Sequence, residues 1–129
     1  MKSKRLLRFY FNADSLENAL DRLIMRYAYK SADGAADGQF YAERILAVIA
    51  AKDRLAELWA YLDVVIPALG VENCKALQRY ADMRTGINRL SVEERREIKR
   101  AVIKLVRHAR IIDRFADGIR LVNEYYCLM

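Results

Sequence analysis

With 129 residues, 54% hydrophobic and 31% charged, the chain is long enough for one domain with its own core and too apolar to be disordered. One proline and five glycines leave few turn signals, which excludes a fold of many short strands and predicts an all-α chain. The net charge of +6 is uneven: residues 1–70 carry 10 Lys+Arg against 9 Asp+Glu, and residues 71–129 carry 13 against 8, so an acidic partner is sought on the second half.

Residues 1–13 have no assigned conformation at this level. The strip Lys2–Phe11 interleaves cations with Phe9, Tyr10 and Phe11 and reads first as a terminal segment docked into the core. Its second reading is a surface that stacks on single-stranded nucleic acid. Arg8 separates Leu6-Leu7 from the aromatics, so the apolar stretch of a signal peptide is missing. Asp14-x-x-Glu17 has the form of a capping box, with Asp14 as N-cap of a helix over 14–30. Leu16, Leu20, Leu23, Ile24 and Tyr27 share its apolar face. Residues 31–38, with two Asp-Gly pairs, are a loop.

The next helix is predicted over 39–66. Tyr41, Ile45, Val48, Lys52, Leu55, Trp59, Leu62, Ile66 and Leu69 recur in steps of four and three, a heptad seam. Pro67 is expected to end it. The seam suits an internal core or a homodimer interface, and Lys52 within it suits either a register-fixing polar residue or a side chain at a core edge. The longest uncharged apolar run, Ile45–Ala51, is far short of the roughly 20 residues of a membrane span, so no membrane association is expected. A shorter helix over 72–84 buries Cys74, Leu77, Tyr80 and Ala81.

Ser91-Val92-Glu93-Glu94 is a second capping box and opens a helix predicted over 91–126, with Asp117-Gly118 as a place where it kinks or splits. Ile98, Val102, Leu105, Ala109, Ile112, Ala116 and Ile119 continue the four-three rhythm. The predicted architecture is a bundle of about four helices in one domain, 1–129, whose two long helices pack antiparallel.

On the last helix, Arg96, Arg100, Lys104, Arg107, Arg110 and Arg114 fall opposite the apolar positions. The plainest account is a solvated face laced with pairs to Glu93, Glu97, Asp113 and Asp117, which stand three residues from Arg96, Arg100, Arg110 and Arg114. The functional account is a surface for an acidic partner, nucleic acid ahead of protein. The order short helix, turn, basic helix loosely resembles a helix-turn-helix. However, Glu93, Glu94 and Glu97 occupy the turns that would meet DNA, and the connection 85–91 exceeds the usual three or four residues.

Signals for catalysis are weak. His108 has no carboxylate three or four residues away, Cys74 and Cys127 have no paired spacing, and no phosphate-binding glycine pattern is present. The expectations are therefore a cytoplasmic, non-enzymatic binding or regulatory protein without catalytic residue, metal or cofactor. The alternative is an oligomeric scaffold or adaptor joined through the 41–69 seam.

Overall fold

A computed structural model of the chain describes residues 2–32, 38–84, 86–109 and 116–129; these are helices and short connections, with no strand among them. The protein is all-α. Six α-helices are described: α1 Lys2–Phe11, α2 Ala13–Ala32, α3 Gly38–Ala68, α4 Val71–Asp82, α5 Val92–Ala109 and α6 Ala116–Tyr125. Short 3-10 turns cover Ile87–Arg89 and Tyr126–Leu128.

The unassigned N-terminal strip is helix α1, and it is docked. Leu6, Leu7 and Phe9 are buried in the common core, and that burial stabilises a helix too short to hold by itself in water. The junction to α2 is a single residue, Asn12, whose N–H reaches the Arg8 carbonyl at 3.0 Å and whose own carbonyl accepts from Ser15 N–H at 3.0 Å. Helix α2 therefore starts at Ala13, and Asp14 is a first-turn acid and not the N-cap. An acid there still favours the positive helix end.

The antiparallel long pair is α2 with α3, not α3 with the C-terminal helix. Tyr27 meets Tyr41 with ring centroids 6.0 Å apart, and Lys52 Nζ lies 2.6 Å from Asp21 Oδ1, so residue numbers fall along α2 as they rise along α3. The connection between them, 33–37, lies outside the described residues. Further along α3, Trp59 Nε1 donates to the Tyr10 carbonyl at 3.2 Å and Tyr10 donates to Asp63 Oδ1 at 3.0 Å, which lays α1 across its second half.

This contact makes Tyr10 a titrating link. Burial, then the Asp63 hydrogen bond and charge, push its phenol up to about 12. The folded state therefore holds this proton more tightly than the unfolded chain, whose tyrosine titrates near 10. The stabilisation is complete below about pH 10 and is lost as pH rises through about 12. Urea midpoints taken from pH 9 to 12 should fall more steeply for the wild type than for Tyr10→Phe, and parallel curves would remove Tyr10 as the cause.

Pro67 lies inside the last turn of α3, which continues to Ala68. The hydrogen bond it cannot donate would go to the Asp63 carbonyl, and both residues are at exposed positions where water can reach. The stop is made just beyond. Leu69 and Gly70 N–H close 3-10 bonds to Ile66 and Pro67 at 3.1 and 3.2 Å, and Gly70 takes φ 97°, a conformation that side chains resist.

Only part of the 41–69 seam is core. Val48, Leu55, Leu62 and Ile66 are buried, but so are Ala51, Leu58 and Val65 from the adjoining row, while Trp59 remains 37% exposed and Lys52 sits at the edge. The seam is largely consumed within the chain. Lys52 is the edge residue of the two readings, and the Asp21 hydrogen bond raises its pKa.

The expected helix over 91–126 is described as α5 and α6, with 110–115, including Ile112, outside the described residues. Their buried positions differ from one continuous stripe. Ile98, Ala101 and Leu105 are buried on α5, whereas on α6 Gly118, Ile119 and Val122 are buried and Ala116 is exposed. Gly118 is a contact point and not a simple break: a Cβ there would stand 3.0 Å from Leu58 Cδ2. Helix α6 packs on α3 and α1, and α5 packs chiefly on α4.

Candidate cationic face

Helix α5 starts as its sequence predicts: Glu94 N–H donates to Ser91 Oγ at 3.2 Å, the side-chain bond of an N-cap, and Glu93 and Glu94 occupy the first turn. Ile98, Ala101 and Leu105 anchor one side in the core. Because a helix turns about 100° per residue, anchoring those three directs Arg96, Arg100, Lys104 and Arg107 to the far side, and all four are exposed. Arg110 and Arg114 lie outside the described residues.

The neighbouring acids do not neutralise this row as expected. Glu97 Oε2 is taken by Arg79 of α4 at 3.0 Å, not by Arg100 one turn along. Glu93 forms no ion pair with Arg96 among the described residues. Four cations in about 17 Å of helix thus keep their charge uncancelled at contact distance, although Glu93, Glu94 and Glu97 moderate the N-terminal end. Exposed aliphatic side chains, Val92, Ile103 and Val106, lie alongside the row.

The N-terminal strip is occupied elsewhere. Phe9 is buried, Tyr10 is held by Asp63, and Lys4 lies over the Tyr80 ring at 5.8 Å. Arg5 sits on the Tyr126 ring at 4.9 Å. Arg8 donates from Nε to the Ala81 carbonyl at 3.1 Å and from Nη1 to Tyr126 Oη at 2.6 Å. Arg8 and Tyr126 also line a surface cleft of about 520 Å³ together with Asn12, Ser15, Asp82 and Arg84. Sequence reasoning found neither the Arg8–Tyr126 clamp nor the Arg79–Glu97 bridge, since no local spacing links residues that far apart.

His108 is exposed in the last turn of α5, Cys74 is half-buried on α4, and Cys127 is exposed in the last 3-10 turn. Among the described residues no three His, Cys, Asp or Glu side chains gather as a metal site, and no helix is long and apolar enough to cross a membrane. No family model, curated protein or solved structure matches the chain.

Proposed function

We propose that this protein is a binding or regulatory module, not a catalyst, that holds an acidic partner on the cationic face of α5, with nucleic acid favoured over an acidic protein. The supporting observation is the row Arg96, Arg100, Lys104 and Arg107, exposed and without an ion pair among the described residues. Phosphates spaced along a strand suit such a row, and binding is then driven by release of their counterions.

Four phosphate contacts on a duplex give a salt slope of roughly −3.6, so affinity should fall about 150-fold between 50 and 200 mM salt. The test is an oligonucleotide titration at both salts with wild type and Arg107→Glu. The variant should bind about tenfold more weakly in low salt and with a shallower slope. Equal, poor binding by both proteins in low salt ends this reading, and preference for an acidic polypeptide over the oligonucleotide transfers the face to a protein partner.

A further inference from the structure

Helix α3 carries apolar residues on more sides than the fold covers. One row faces α2, a second enters the core, and a third is bare. That third row runs Ala42, Leu46, Ile49, Asp53, Ala56, Ala60, in steps of four and three, and every member is exposed. Leu46 is 66% exposed. Acids flank the row on one edge: Glu57 lies about one turn beyond Asp53 and Glu43 nearly three turns before it.

The same chain carries a complementary strip. On α5, Val92, Arg96, Lys99, Ile103 and Val106 also recur in steps of four and three, and all are exposed. Here the apolar residues are mixed with cations. We propose that the bare row of α3 in one copy docks antiparallel on the α5 strip of another, in a head-to-tail contact.

One register satisfies both apolar and charged positions. Leu46 meets Val106, and Ile49 meets Ile103. One turn further, Asp53 meets Lys99 and Ala56 meets Arg96, and Ala60 then meets Val92. At the edge, Glu43 falls beside Arg107 and Glu57 beside Arg96, with Glu93 as the one acid near Glu57. An antiparallel pairing of α3 with α3 in its fully overlapping register is worse: Glu43 lies against Glu57 of the partner subunit, and Asp53 is pressed against an isoleucine. Charge therefore selects α5 over a second α3.

The two patches differ, so the contact does not close on itself; it extends into chains unless the rotation closes a ring. A single helix pair buries on the order of 1,000 Å², the low end of specific interfaces, so association should depend on concentration. Arg100 and Lys104 sit roughly 80–120° round α5 from the strip and stay open, whereas Arg96 and Arg107 are drawn into the contact, so it competes with a polyanion for half of the cationic row.

The experiment is sedimentation velocity with light scattering on the full chain, from micromolar to near-millimolar concentration. It uses wild type, Leu46→Lys, Ile103→Lys and an equimolar mixture of the two variants, each with its helix content checked by circular dichroism. Both substitutions are at exposed positions, 66% and 51%, so folding should survive. The wild type should gain mass beyond twice 15.0 kDa as concentration rises. Each variant by itself should stay monomeric, because each retains only one good patch. The mixture should give a 1:1 dimer and stop there, since the two intact patches meet and the two damaged ones each bring a lysine against an apolar residue. A monomeric wild type, an Ile103→Lys protein that still self-associates, or a mixture that stays monomeric overturns the proposal; the first leaves the α3 row to a different protein.

Discussion

Gly118→Val is expected to lower folding stability by about 2–3 kcal/mol, the usual cost of forcing extra methylenes into a packed contact. A Cβ at 118 would stand 3.0 Å from Leu58 Cδ2 and 3.3 Å from Leu58 Cβ, and Leu58 is fully buried on α3. Alanine is the near-neutral control, because its gain of roughly 1 kcal/mol in helix propensity offsets the tight contact. Leu58→Ala should itself cost about 3 kcal/mol through the cavity it leaves. In the double variant the valine occupies part of that cavity. The combined loss should fall short of the sum by about 1 kcal/mol or more. Urea midpoints at unchanged m-value measure all four proteins, and strict additivity would show that Gly118 and Leu58 are not each other's constraint.

The second large effect is expected at Arg8. Its guanidinium holds the Ala81 carbonyl, in the last turn of α4, and the Tyr126 hydroxyl, at the other end of the chain, while its stem belongs to α1. A carbonyl in a last helical turn has no partner within its helix, so a charged donor from α1 satisfies it and ties the two helices. Charge-assisted bonds contribute about 1.5–3 kcal/mol each, and partial exposure reduces that here, so Arg8→Met should lose about 2 kcal/mol. Tyr126→Phe should lose about half as much, because the bond to Ala81 remains. Thermal unfolding of the two variants and their combination reports this directly. If Tyr126→Phe costs as much as Arg8→Met, the clamp is a single bond and the Ala81 contact is idle.

Much of the helical layout was legible because its signals are local. The heptad steps, with Pro67 as the expected stop, placed α3 within two residues at each end, and the Ser91 box placed the start of α5. Leu16 and Leu20 were assigned to the core and are buried. Helix α1 was not legible, since its stability comes from what Leu6, Leu7 and Phe9 touch and not from a cap or a long periodic run. Asp14 was read as the N-cap, but the turn in which the Arg8 and Phe9 carbonyls accept from Asn12 N–H starts the helix at Ala13.

The cationic face was half legible. Spacing along α5 determined that Arg96, Arg100, Lys104 and Arg107 share one side opposite Ile98 and Leu105. It could not determine which acids reach them, because Arg79, the partner of Glu97, arrives from α4.

What the amino-acid sequence determined by itself, then, is the helical class, the start of α5 at its Ser91 cap, and the side of α5 that carries charge. Each of these follows from interactions within about one turn of chain. Only the tertiary structure decided which of three apolar rows on α3 became core, that α2 and not the C-terminal segment lies along it, and that Gly118 is a point of close approach. Those choices are between helices, where a side chain's partner depends on packing across the fold and has no trace in neighbouring residues.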